Sequence, residues 1–193
     1  MNSILYAISP LIYMCEVRTM ATKMANPMAT DFAFSLDGPL ARYWVALLRV
    51  ITGWWFFHAG ITKLIEDGLA YSYGPMYLQG MEGTALGPIP MWMGNNLAWL
   101  IAPGVPLFET LIGLALIFGV VTRLAAFGGA FFMVLFWIGN ADFGHGLVSG
   151  DFMGLLLFIT VAALAAGRYY GLDAILEQTA LVKQHPRLKY LLG

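Results

Sequence analysis

Four apolar stretches set the terms on which this chain can fold: residues 40–64, 96–121, 122–139 and 149–167. Each comes close to the ~20 residues a helix needs to cross the hydrocarbon core of a bilayer. Hydrocarbon offers no water to backbone N–H and C=O groups, so a spanning segment must pair them internally, as a helix does. The expected fold class is all-α: an integral membrane four-helix bundle, with a long outer loop between the first two helices and a C-terminal amphipathic helix.

Composition agrees. Of 193 residues, 60% are hydrophobic and only 11% charged, against about 25% charged in soluble domains. The net charge is −1 with no basic tract, which argues against a nucleic-acid partner. The single cysteine, Cys15, excludes a disulfide framework and a cysteine-ligated iron–sulfur or zinc site within one chain. Residues 1–14 are apolar but lack a basic n-region and a clear cleavage site, which argues against a secretory signal. They are also too short to span. An interfacial segment and an over-extended start both fit, with Met20, Met24 and Met28 as later starts.

The pattern divides the chain into an N-terminal cytoplasmic or interfacial segment (1–39), a four-helix transmembrane domain (40–167) and a cytoplasmic amphipathic tail (168–193). Asp37-Gly38-Pro39 is a start signal for the first helix. Pro103 and Pro106 imply a kink or late start in the second. The link around 119–123 is so short that the second and third helices must form an antiparallel hairpin. Small residues such as Ala125, Gly128, Gly129, Ala162 and Ala166 permit close packing of the third and fourth. Segment 65–95, rich in Gly, Pro, Met and aromatics (Tyr71, Tyr73, Tyr77, Trp92), must sit at the interface or cap the bundle. Beyond Arg168, the residues Leu172, Ile175, Leu176, Thr179 and Val182 share one face of a surface helix.

Lys and Arg in the short connections set the orientation. Arg18, Lys23 and Arg42 precede the first helix, Arg123 lies in the hairpin, and Arg168, Lys183, Arg187 and Lys189 follow the fourth; the opposite side has Lys63. Both termini are expected in the cytoplasm, in a multi-pass protein of the plasma membrane. Trp54, Trp55, Trp92, Trp99 and Trp137 lie toward the outward half, as an aromatic belt would. The chain has no internal repeat of the kind small transporters carry.

Ionisable residues at membrane depth need a partner or a job. Arg49 and Glu109 sit on sequential helices and are within reach of an ion pair, read either as a structural bridge or as part of a quinone or proton site. Snorkelling of Arg49 toward the cytoplasmic face is the other option. His58 lies about 180° round the helix from Arg49, whereas Lys63 shares Arg49's face at a higher level. Asp142, His145 and Asp151 fall within ten residues at one rim. With His58 and Lys63 they can form a polar vestibule able to handle protons, or a solvated loop with a helix cap. Their spacing matches no metal-ligand motif, and no second helix-borne histidine completes a haem site with His58.

Three stretches together resemble the DoxX/DoxD family of small four-helix membrane proteins. They are Leu48-Arg49-Val50-Ile51-Thr52-Gly53 with Phe57-His58-Ala59-Gly60 and Lys63; Glu109, Gly113 and Leu116 running into Gly119-Val120-Val121-Thr122-Arg123-Leu124; and Gly167-Arg168-Tyr169-Tyr170-Gly171-Leu172-Asp173. The similarity covers about residues 40–176. DoxD-like members are the large membrane subunit of thiosulfate:quinone oxidoreductase, which oxidises thiosulfate to tetrathionate and reduces membrane quinone. The resemblance therefore implies a subunit of a quinone-linked membrane oxidoreductase. Quinone would be substrate, with no haem or iron–sulfur centre. Its surroundings would be the lipid bilayer and a small partner subunit or further copies of the chain. On this reading His58 and Glu109 are the catalytic candidates, and Arg49, Lys63, Asp142, His145 and Asp151 bind ligand. Lys63 would attract thiosulfate at the outer rim. The rival reading is a non-catalytic scaffold or assembly subunit of a larger complex.

Overall fold

The computed structural model describes residues 38–84, 87–139 and 146–193. The N-terminal residues 1–37, together with Asp142 and His145, lie outside the described residues. Every regular element described is helical.

Helix α1 (Pro39–Glu66) begins with a proline in its first turn, where the missing N–H costs nothing. It ends where the Asp67 N–H bonds the Lys63 carbonyl, and Gly68 turns the chain at φ 62°. Two short helices follow, α2 (Tyr73–Gln79) and α3 (Pro88–Asn96). The described parts of segment 65–95 thus form a folded cap, held by the Gln79 side chain donating to the Gly94 carbonyl at 3.2 Å. Helix α4 (Ala98–Phe118) carries Pro103 and Pro106 internally and stops at Gly119, whose φ of 67° suits a residue without Cβ. Val120 and Val121 lead straight into α5 (Thr122–Gly139). Helix α6 (Gly150–Ala163) is capped by the Ser149 hydroxyl, which accepts the Phe152 N–H.

Three of these helices, α1, α4 and α5, are long and apolar enough to cross a membrane. Helix α6, with 14 residues, is only about 21 Å long. The predicted helix to residue 167 breaks because Ala165 takes a left-handed conformation (φ 50°), and a 3-10 turn, Ala166–Arg168, follows. The tail also departs from one continuous amphipathic helix. It is three short pieces: α7 (Asp173–Leu176), α8 (Ala180–Gln184) and a 3-10 turn at Pro186–Tyr190. The reason lies in Asp173. It is fully buried, and its carboxylate accepts the N–H groups of Val121 (2.7 Å), Thr122 (2.9 Å) and Gly193 (3.0 Å). That anchor draws the tail onto the start of α5, where free N–H groups favour a carboxylate.

Packing is by close approach at glycines. Gly53 of α1 lies against Leu116 and Ile117 of α4, Gly60 against Glu109 and Thr110, and Gly113 against Phe57. On the other pair, Gly129 of α5 sits under the Phe158 ring of α6. Phe56, Leu116, Met133, Phe158 and Val161 fill the centre. The outer faces show Trp44, Trp54, Leu111, Phe127 and Ile159. Apolar cover of that extent is stable against lipid rather than water.

Candidate functional site

The α1–α4 register decides which ionisable groups meet. Gly53, Phe57 and Gly60 face Ile117, Gly113 and Thr110 in turn, so Arg49 arrives at Gly119 and Lys63 at Glu109. The expected Arg49–Glu109 pair does not form. Arg49 and Lys63 are 14 residues apart on one face, about 21 Å along the helix, and Glu109 reaches only the second. Lys63 donates to the Glu109 carboxylate in a short ion pair. The lysine side chain is 24% exposed and the glutamate 4%.

Arg49 is enclosed at the hairpin end, 2% exposed. It donates to the Tyr170 carbonyl at 3.4 Å and lies within the field of Asp173. Its guanidinium fits because Gly119 and Gly171 have no side chains there. Arg49 therefore ties the hairpin turn to the chain leaving α6; it is buried there rather than snorkelled to the surface, and does not line the cavity beside Lys63.

The Lys63–Glu109 pair instead borders a cavity of about 510 Å³ under the α2–α3 cap. Its walls are largely aromatic, with Trp55, Phe56, Phe108, Phe132 and Phe136 among them. Polar groups enter at few points: the ion pair, Asp151, and Tyr71, Tyr73 and Tyr77 of the cap. The Lys63 ammonium lies 5.6 Å from the centre of the Tyr71 ring, a cation–π contact. Burial pushes the Tyr71 phenol up to about 12, with the Glu109 charge adding to it. Burial, and then the Asp151 charge, does the same for Tyr77, also to about 12. Both phenols remain protonated donors at ordinary pH.

His58 is exposed on the outward side of α1, its ring 6.3 Å from that of Trp54. It is five residues from Lys63, about 140° round the helix, so the two do not share a vestibule. Asp151 reaches the cavity from the first turn of α6. Lys63 offers no free positive charge for an anion, because Glu109 neutralises it, and Glu66, Asp67 and Glu82 are the exposed charges nearby in sequence. Among the described residues no cluster of three His, Cys, Asp or Glu could hold a metal. Tyr71 and Tyr77 are site residues that helix-by-helix reading passed over. The signal was the run of tyrosines in a Gly/Pro-rich connection.

The DoxX family model matches residues 44–140, just over half the chain and the whole of this cavity's α1, cap, α4 and α5 walls. The chain belongs to the DoxX family. Comparison with curated proteins and with solved structures returns no match. In this DoxX protein the matched region contains both members of the Lys63–Glu109 pair, whereas Asp151 and Asp173 lie beyond it. The cavity can hold a flat apolar ring and offer it hydrogen-bond donors from two sides.

Proposed function

We propose that this DoxX protein binds a membrane quinone in the cavity under the cap, as a subunit of a quinone-linked oxidoreductase of the thiosulfate:quinone type. The observation that carries the reading is the aromatic-walled cavity with a buried Lys63–Glu109 pair at one side and Tyr77 with Asp151 at another. A quinone is a flat ring with two opposed carbonyls. Aromatic walls suit the ring, and the Lys63 ammonium and Tyr77 hydroxyl are donors for the carbonyls. Reduction takes up two electrons and two protons. Oxidation of two thiosulfates to tetrathionate, with one new S–S bond, releases two electrons. Glu109 and Asp151 are the carboxyls placed to pass protons to the ring oxygens.

Pairing with Glu109 leaves Lys63 without the free charge that would draw a dianion to the cavity, so the sulfur chemistry belongs on a partner subunit. The proposed setting is a plasma-membrane bundle of four helices divided as 1–39, 40–167 and 168–193. Both termini and the hairpin face the cytoplasm, and the cap faces outward. The test uses purified protein, alone and with any co-purifying partner, in lipid nanodiscs containing decylubiquinone. Expected results are saturable quinone binding, weakened at least tenfold by Lys63→Met and unaffected by His58→Ala, and thiosulfate-dependent bleaching when the partner is present. Absence of quinone binding to wild-type protein, alongside a stoichiometric partner, would establish the scaffold reading instead.

A further inference from the structure

The seams between helices are unequal. Helix α4 packs along α1, and α5 along α6. The α1–α6 seam is filled: Phe56 meets Phe158 edge to face at 4.6 Å, and the Trp55 ring lies on Gly154. The α4–α5 seam is tight only near the hairpin, where a Cβ on Gly128 would come within 3.1 Å of the Ile112 side chain. Pro103 and Pro106 remove two amide donors from α4 along this stretch. On either side of these prolines Leu100, Gly104 and Phe108 form one stripe at four-residue spacing, lining the cavity together with Phe131 and Leu135 of α5. Leu100, Phe108 and Phe131 are about half exposed (47, 55 and 52%) within lipid-facing spans. Gly104 leaves a notch in the middle of the stripe, since a Cβ there would meet nothing closer than Phe108 at 3.8 Å.

We infer that the cavity is entered sideways from the bilayer through the α4–α5 seam, and that its occupant is a chain-bearing ring whose tail leaves over Gly104 into lipid. This rests on the quinone reading and adds to it a route and a specificity-determining residue. A ring that reaches Lys63 and Tyr77 while its isoprenoid chain stays in hydrocarbon never has to carry that chain through water. The apolar lip and the missing side chain at Gly104 are what such a tail needs. A wholly water-borne ligand would need neither.

The experiment compares decylubiquinone with its tailless dimethoxy-methyl-benzoquinone headgroup, by quenching of protein tryptophan fluorescence in nanodiscs. The variants are Gly104→Leu and, from the opposite lip, Leu135→Trp. Either one, whichever folds, is expected to lower the ratio of decyl to tailless affinity at least tenfold. An unchanged ratio, whether both ligands weaken together or neither does, overturns the portal and leaves the quinone reading standing. Failure of wild-type protein to bind either quinone overturns both.

Discussion

Replacing Gly53 by alanine should destabilise the protein by about 2 kcal/mol, and the origin of that figure is backbone rather than side chain. A Cβ at Gly53 would lie 2.8 Å from the Ile117 nitrogen and from the Leu116 Cβ, and 2.9 Å from the Gly113 carbonyl oxygen. Carbon contacts become favourable only near ~3.5 Å, so α1 and α4 would have to separate by roughly 0.6 Å. Main-chain atoms on both sides cannot rotate away. A gap of that size forfeits a quarter to a half of each dispersion contact it opens, and about a third of one well-packed side chain's total comes to about 2 kcal/mol. That agrees with the ~1–3 kcal/mol cost of overpacking. Gly104→Ala is the matched control. It puts the same methyl group in the same kind of helix, but at an ordinary van der Waals distance of 3.8 Å from the Phe108 ring, so the helix gain of about 0.5–1 kcal/mol should appear. Unfolding in mixed micelles by graded SDS, followed by circular dichroism, measures both. Equal effects at Gly53 and Gly104 would refute the reasoning, since helix propensity would then account for both.

Lys63→Met should cost about 3 kcal/mol by leaving Glu109 without its partner, whereas Lys63→Met with Glu109→Met should recover most of it; the same SDS titration reads the difference. Asp173→Ala, which orphans the Val121, Thr122 and Gly193 N–H groups, should cost about 2–3 kcal/mol and raise amide exchange at the start of α5. The tyrosines give a pH signature. With folded values near 12 for Tyr71 and Tyr77 against an ordinary 10, the folded state holds protons that the unfolded state has lost. Stability should be flat in this respect below pH 10 and fall as pH rises from about 10 to 12. The loss is about 3 kcal/mol at most per phenol, less for the more exposed Tyr77. Tyr71→Phe should flatten its share of that loss in an alkaline melting series.

The elements that hydropathy controls were legible, and those that register controls were not. Gly38-Pro39 marks the start of α1 because it is a local signal whose effect is complete within one turn. The hairpin was legible because so few residues separate two apolar runs. The partner of Glu109 was not. Arg49 and Lys63 share one face of α1, and choosing between them requires the sliding register of α1 on α4. That register is set by Gly53, Gly60 and Gly113 meeting backbone, and by a cap whose folded length cannot be read from its residue count. The tail misled for a related reason. Leu172, Ile175 and Leu176 do have helical spacing, but Asp173 between them is held by three N–H groups distant in sequence, and that outweighs propensity over a short segment. His58 was placed near Lys63 by its depth along α1; its exposure on another face follows from helical phase relative to Lys63.

Arg49 and Lys63 of α1 mark ends of different mechanical character, and this bears on why chemistry would sit at one of them. At the hairpin end Arg49 is sealed among Gly119, Tyr170, Gly171 and the Asp173 anchor. A change there must break several interactions at once, because the turn, the exit from α6 and the start of α5 all meet at that point. At the other end a cavity lies between α4 and α5, α6 contributes only its first turn, and the roof is a pair of short helices. The side chains facing that space are large rings, with Lys63 and Glu109 between them. A protein that admits a bulky lipid-soluble ring needs its helices fixed at one end, so that parting them at the other does not unfold it. The shared rod α1, pinned at Arg49 and bordering the cavity at Lys63, has that arrangement. It also explains why an ion pair stands at the loose end. Lys63 and Glu109 hold α1 to α4 where glycine packing stops, leaving the α4–α5 seam as the side that yields.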